Sequence, residues 1–262
     1  VAYKGNANSK VNYCGQEPVF LTKRWHLFQK NQEVIEQDFV LLTVNRNSQK
    51  LSESNIIIGN PEQLFIEDGA FIEGCILNTN DGPIYIGKNA IVMEGCIIRG
   101  ALALCDHATL KLGTKVYGPS SIGPHCKVGG EINNVIFQSY SNKGHDGFLG
   151  NSIIGEWCNL GADTNTSNLK NNYGMVDTYS YESNAMIKTD TSFLGLCMGD
   201  HSKCGINTMF NTGTVVGVSC NIFGANFPPK YIPSFSWCNT LEIVPYKFDK
   251  AIEYANNMMK RR

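Results

Sequence analysis

An aliphatic residue recurs at every sixth position of the chain from Ile86 onward. The residue two positions before each repeat is mostly small or β-branched, and residues two apart on a strand point to the same face. Both can therefore face one interior. A period of six does not match the 3.6 residues of a helical turn, and the segment is rich in glycine. The uninterrupted run comprises Ile86, Val92, Ile98, Leu104, Leu110, Val116, Ile122 and Val128.

Glycine or another permissive residue once in each repeat lets the chain bend between short strands. Three bends close a coil with flat sides, and stacked coils pair their backbones at about 4.8 Å. Each buried Val, Leu or Ile contributes roughly 1.5–3 kcal/mol, so several coils make a stable stack. The sequence therefore predicts a mainly β fold, a parallel β-helix, although periodicity alone does not give its hand.

The six-residue register breaks at three places, and we expect loops there that leave the solenoid. These places are residues 78–82, the interval from Val128 to Ile154, and the interval from Leu160 to Met198. Loops projecting from a rigid scaffold are where such folds carry function.

The two ends of the chain differ from the repeats. Residues 22–38 are predicted to form an amphipathic helix and residues 39–55 a linker or irregular strand. The segment from Phe248 to Met258 is predicted to form a C-terminal helix that packs along the solenoid. Its apolar face is predicted to comprise Phe248, Ile252, Ala255 and Met259.

Composition excludes several classes of protein. A net charge of −1 over 262 residues argues against a nucleic-acid binder. No apolar run approaches the ~18 residues of a membrane span, and the polar first fifteen residues do not resemble a signal peptide. The ten cysteines include no C-x-x-C pair, which argues against zinc knuckles. A reduced, cytoplasmic protein is the expectation.

The motifs resemble the bacterial GlmU-like sugar nucleotidyltransferase/N-acetyltransferase family, in particular its acetyltransferase half. The resemblance covers about residues 20–262 and implies a left-handed parallel β-helix. It is carried by Gly130-Glu131, Lys143-Gly144-His145, Phe148-Leu149-Gly150, Gly155-Glu156-Trp157-Cys158-Asn159-Leu160-Gly161-Ala162, Asn168 and the stretch from Gly205 to Thr214.

The resemblance implies an acetyltransferase that uses acetyl-CoA and an amino-sugar phosphate, works as a homotrimer and serves nucleotide-sugar biosynthesis for the cell envelope. It also implies three segments. Residues 1–55 are expected to be the remnant of a nucleotidyltransferase domain, without its activity. Residues 56–232 are expected to be the β-helix, and residues 233–262 a helical tail.

The resemblance also assigns roles to individual residues. His145 matches the general base, which the chemistry needs because an ammonium group cannot attack a thioester before it loses a proton. Asn168 and Ala162 match positions near the reacting acetyl group, where an amide can stabilise an oxyanion. The matched positions for the sugar phosphate are Glu131, Asn159, Lys111, Lys170 and Phe148, and those for CoA are Ala162, Gly205, Thr208 and Gly224.

Departures from the family pattern put the acceptor sugar in doubt. Phe148 stands where the family often has Tyr, Asn133 stands where it has Lys, and Lys111 replaces an Arg. On the residues alone, His145 also fits an exposed turn, the asparagines and glycines fit corner positions, and the lysines fit a solvated surface.

Three rival functions remain. A γ-type carbonic anhydrase needs three converging histidines, and the candidates His107, His125, His145 and His201 do not form the expected pair, so no metal site is predicted. A non-catalytic β-helix could bind sugar nucleotides or assemble a partner. An acetyltransferase acting on a nucleotide-linked amino sugar would keep His145 and change the sugar contacts.

Overall fold

The fold is a three-sided solenoid of short parallel strands, seen in a computed structural model that describes residues 19–239 and 242–260. The first face holds Ile56–Ile58, Ile76–Asn78, Ile97–Arg99, Lys115–Tyr117 and the starts of Glu131–Phe137 and Phe148–Ile154, followed by Asn165–Thr166 and Met209–Phe210. The second face holds Leu64–Ile66, Ile84–Ile86, Leu102–Leu104, Ser120–Ile122, the ends of the same two long strands, Cys197–Met198, Val215–Val216 and Tyr231–Ile232.

The third face is the longest continuous ladder, with nine parallel strands among the described residues. An antiparallel strand, Ile243–Pro245, closes this ladder against the last of the nine. That last parallel strand lies within the segment expected to be a tail. The nine are Phe71–Ile72, Ile91–Val92, Thr109–Leu110, Lys127–Val128, Asn142–Lys143, Asn159–Leu160, Lys203–Cys204, Asn221–Ile222 and Ser236–Cys238.

The repeated aliphatic residues form the core, as the period predicts. Ile86 pairs with Leu104, and Leu110 pairs with Val128, each 18 residues on, so three six-residue repeats make one coil. All eight members of the run are at most 1% exposed. The predicted fold class, a left-handed parallel β-helix with short helices at both ends, is confirmed.

The interval from Val128 to Ile154 does not form the predicted loop. It stays in the solenoid as two seven-residue strands, Glu131–Phe137 and Phe148–Ile154, which pair in parallel. The coil shortens instead: Val128 pairs with Lys143, only 15 residues further on. The extra residues that the spacing indicated are thus taken up by tighter corners.

The interval from Leu160 to Met198 does leave the register, as predicted. After Asn165–Thr166 the chain forms an antiparallel hairpin, Asp177–Ser180 with Ala185–Lys188, and rejoins the second face at Cys197. This insertion packs against the N-terminal helical region in a separate apolar cluster of Trp25, Phe28, Val176, Leu194 and Cys197.

Two of the end predictions need correction. The N-terminal region forms helices at His26–Gln29 and Asn31–Thr43, so the second helix runs into the predicted linker, because Phe39 continues the buried side of Asn31 and Ile35. The predicted remnant begins in residues 1–18, which lie outside the described part of the chain.

The C-terminal helix is confirmed at Phe248–Met259, but its predicted apolar face is wrong. Phe248, Ile252 and Met259 are exposed, whereas Ala251 is buried. Tyr254 and Met258, on the same side as Ala251, line a cleft against the third face. No helix among the described residues is long and apolar enough to cross a membrane. A short 3₁₀ helix, Pro61–Gln63, lies in the first coil.

Candidate active site

His145 lies at the corner where the chain passes from the third face to the first. Lys143 ends a third-face strand and Phe148 begins a first-face strand, so residues 144–147 form the turn between them. Within the described residues the imidazole of His145 is exposed and makes no hydrogen bond. It is therefore free to meet a ligand at this edge of the solenoid.

A cleft of about 410 Å³ opens beside His145, and we refer to it as the His145 cleft. The structure brings four predicted site residues together there, from three successive coils. Its lining comprises Lys111, Lys127, Asn142, Gly144, His145, Asn159, Leu160, Gly161, Ala162 and Ile206.

A larger cleft of about 680 Å³ lies between the third face and the C-terminal helix, and we refer to it as the helix cleft. It shares Lys127, Asn142 and Asn159 with the His145 cleft, so the two adjoin. Its lining also includes Gly205, predicted as a CoA contact, together with Lys203, Cys204, Asn221, Ile222, Phe223, Trp237, Tyr254 and Met258.

Lys203 is the most perturbed charged group in the helix cleft. Its Nζ lies 4.8 Å from the centroid of the Tyr254 ring, and burial lowers the pKa of the ammonium to about 8. A cation partly withdrawn from water binds an anion more strongly than a solvated one. The helix cleft thus joins aromatic surface to positive charge.

Other predicted residues lie on the first face. The carboxylate of Glu131 accepts a hydrogen bond from the Tyr117 hydroxyl at 2.5 Å, and Phe148 stands beside Glu131 in the next coil. Asn168 donates from Nδ2 to Oδ1 of Asn151 at 2.7 Å. Glu131 and Phe148 thus flank the corner that carries His145 on the side away from the third face.

The remaining predicted residues are engaged within the fold. Lys170 pairs with the Asp177 carboxylate at 2.8 Å, and this hydrogen bond lowers the pKa of Asp177. Thr208 is buried, with its hydroxyl donating to the carbonyl of Gly205 at 2.8 Å. Gly224 has φ +123° in the bend after Asn221–Ile222, a conformation that suits glycine.

Sequence reasoning missed Lys143, whose side chain points into the core directly beneath the site. Its ammonium donates to the carbonyls of Gly129 at 3.0 Å and His145 at 2.9 Å. Lys143 is the sixth residue after Phe137 and the sixth before Leu149, so the repeat itself placed it inward. Lys127, Asn142 and Lys203 were also missed, because only the packed helix reveals their clefts.

The histidines do not converge. Within the described ranges, no group of three or more His, Cys, Asp or Glu side chains is placed to hold a metal ion. His107 and His125 stack on each other at a different edge, with ring centroids 4.8 Å apart. The nine cysteines that the structure describes are free thiols, eight of them buried.

Fold and site together define a hexapeptide-type parallel β-helix with a histidine at an open corner cleft. The chain is 28% identical over 198 residues to the bifunctional protein GlmU of Methanocaldococcus jannaschii, covering 75% of this chain and 41% of that protein. It is 22% identical over 171 residues to the uncharacterized acetyltransferase YaiX of Escherichia coli, covering 64% of this chain and 74% of that one. These relatives confirm the GlmU-like acetyltransferase resemblance.

Two limits apply to the comparison. The chain spans less than half the length of the GlmU proteins that it matches. No protein-family model matches it. Among solved structures, the polySia specific acetyltransferase NeuO shares 14% identity at a TM-score of 0.36, over 78% of this chain and 94% of that one.

Proposed function

We propose that this chain is an acyl-CoA-dependent N-acetyltransferase acting on an amino-sugar phosphate such as glucosamine 1-phosphate, with His145 as the general base. The observation that carries the proposal is the exposed imidazole of His145 on a cleft shared with Lys111, Asn159 and Ala162. The resemblance assigns these four residues to one site from sequence, and they meet at one corner.

The proposed reaction is a direct transfer. The amine nitrogen of the sugar attacks the thioester carbon of acetyl-CoA and forms the C–N bond. His145 removes a proton from that nitrogen as the bond forms. The tetrahedral intermediate then expels the CoA sulfur as the C–S bond breaks, and the thiolate takes up a proton to leave as the free thiol.

The cleft supplies the other groups that this chemistry needs. Lys111 contributes a positive charge for the sugar phosphate, and Asn159 an amide for a hydroxyl. The backbone N–H of Ala162 and the second Nδ2 proton of Asn168 are the proposed donors to the developing oxyanion. The resemblance supports Glu131 and Phe148 as sugar contacts, and their position beside the corner is compatible with that role.

We place acetyl-CoA in the helix cleft. Its thioester end would reach the His145 cleft past Asn142 and Asn159, which line both. Gly205 leaves room for the pantetheine arm, while Lys203 and Lys127 face the phosphates. The proposed assembly is a cytoplasmic homotrimer, and light scattering in solution tests its mass.

The deciding experiment is release of CoA thiol from acetyl-CoA with glucosamine 1-phosphate, for the parent chain and for His145→Ala. The proposal predicts turnover by the parent and a loss of at least ~100-fold in kcat for the variant. Lys88→Ala, an exposed lysine outside both clefts, serves as the matched control.

Other outcomes separate the alternatives. Turnover with a nucleotide-linked amino sugar but not with glucosamine 1-phosphate would keep the mechanism and change the acceptor. Absence of both CoA binding and thiol release would refute the acetyltransferase and favour a binding scaffold.

A further inference from the structure

Lys143 occupies a position that the fold reserves for apolar side chains. It stands between Val128 and Leu160 in the inward ladder of the third face and is only 1% exposed. Val128 and Leu160 are at most 2% exposed. An aliphatic residue at position 143 would continue the ladder without interruption.

A buried ammonium is costly, and the surroundings compensate only in part. Burial lowers the pKa of Lys143 to about 8, while the carboxylates of Asp146 and Asp163 oppose this shift. The side chain therefore stays mostly protonated at pH 7. Replacement of buried ionic groups by apolar ones is often neutral or stabilising, so stability alone does not explain a lysine here.

The ammonium ties the corner to the coil beneath it. One hydrogen bond runs to the carbonyl of Gly129 in the preceding coil and the other to the carbonyl of His145. Gly144 and Gly147 flank the tethered residues, and Gly147 has φ +116°. Two glycines this close give the backbone freedom that a tether must remove.

We infer that Lys143 is a positioning residue for His145, holding its carbonyl and so fixing the direction in which the imidazole leaves the solenoid. This inference rests on the proposed function of His145. Lys143 does not touch the substrate, because its ammonium is enclosed by the coil. Its effect passes through the backbone of residue 145.

The test is Lys143→Met, which fills the ladder with an apolar side chain and removes both hydrogen bonds. We expect kcat to fall about 10- to 100-fold, as for a displaced catalytic group, with KM for both substrates within about 3-fold of the parent. The melting temperature should stay equal or rise. A control variant, Ser120→Ala, removes another buried hydroxyl whose oxygen bonds a backbone carbonyl, away from the corner, and should leave kcat unchanged.

A second measurement does not depend on activity. In ¹H–¹³C spectra of the imidazoles, the His145 signal should broaden or split in Lys143→Met, while that of His26 on the N-terminal helix stays as in the parent. An unchanged kcat together with an unchanged His145 signal overturns the inference. So does a lowered melting temperature with parallel changes in kcat and KM, which marks a structural role. If His145→Ala retains activity, the proposed function fails, and the spectra still report on the tether.

Discussion

The imidazole rings of His107 and His125 stack in parallel, 5° from coplanar, with their centroids 4.8 Å apart. Both residues occupy the same corner position of successive coils and have φ near +59°. The stack continues through Tyr140 and Trp157 to His201. Because stacked coils are about 4.8 Å apart, a corner side chain meets the same corner of the next coil.

This column makes stability depend on pH in the range where histidine titrates. Burial, and then the neighbouring His107, lower the pKa of His125; burial, and then Lys203, lower that of His201. A lowered pKa means that the unfolded chain binds protons first as the pH falls. The contribution is therefore complete above about pH 6.5 and is lost as the pH drops through the folded pKa values.

We predict that the free energy of unfolding, from urea titrations, falls between pH 7 and pH 5. The double variant His125→Asn/His201→Asn should flatten that slope, since asparagine tolerates positive φ and does not titrate. Equal slopes for variant and parent would show that the column does not contribute.

Trp25 joins the N-terminal helical region to the insertion. It is 4% exposed, and its Nε1 donates to Asp190 at 2.8 Å. We predict that Trp25→Ala destabilises the protein by about 3–5 kcal/mol, the usual cost of truncating a buried tryptophan. Trp25→Phe should cost about 1 kcal/mol for the hydrogen bond in addition to any loss of packing. Urea unfolding gives both values.

Hydrogen exchange should localise the effect to residues 176–197, because this cluster is separate from the solenoid core. Val34→Ala, on the exposed side of the next helix, is the matched control and should stay within about 0.5 kcal/mol. Uniform loss of protection over all coils would contradict a local role.

The repeat was predictable because a single physical rule, apolar side chains inward at every sixth residue, generates both the pattern and the core. Trp25 and Asp190 lie 165 residues apart, and no periodicity links them. The helix cleft likewise needs Tyr254 and Trp237 to meet across packed elements. His145, Asn159 and Ala162 were placed by resemblance, not by the repeat, which treats them as ordinary corner residues.

Lys143 shows how the period and the residue type can disagree. The spacing from Phe137 directs position 143 inward, whereas a lysine there is normally taken as exposed. The prediction of a loop after Val128 hid this conflict. Where a charged residue falls on an inward position of a regular repeat, the structure resolves the conflict through short corners and carbonyl acceptors.

The buried lysine also gives a thermodynamic prediction. With a pKa of about 8 when folded and near 10.5 when unfolded, the protein loses this proton before the unfolded chain does as the pH rises. Parent stability should therefore increase between about pH 8 and pH 10. Lys143→Met should be more stable than the parent at pH 7, by about 1–3 kcal/mol. That advantage should shrink toward pH 10.

Urea titrations of the two proteins at pH 7, 8.5 and 10 check this prediction. Other groups that titrate in this range are common to both proteins, so the difference between them isolates residue 143. A constant difference across the series would mean that the ammonium is not penalised by burial.

Lys111 should govern affinity for the phosphate of the acceptor. It lies on the lip of the His145 cleft, one coil below Lys127 and with no ion pair within the described chain. Hydrogen bonds to charged groups are worth about 1.5–3 kcal/mol, so Lys111→Ala should raise KM for glucosamine 1-phosphate about 10- to 100-fold. The kcat should change little, because the phosphate is remote from the reacting amine.

Steady-state kinetics with two acceptors provide the check. For glucosamine without its phosphate, parent and Lys111→Ala should have equal kcat/KM, because the lost contact does not exist. Lys111→Arg should recover most of the affinity, since a guanidinium also binds phosphate. Added salt should weaken the parent's advantage by screening the charge. An equal loss of kcat/KM for both acceptors would remove Lys111 from the phosphate site and assign it a role in shaping the cleft.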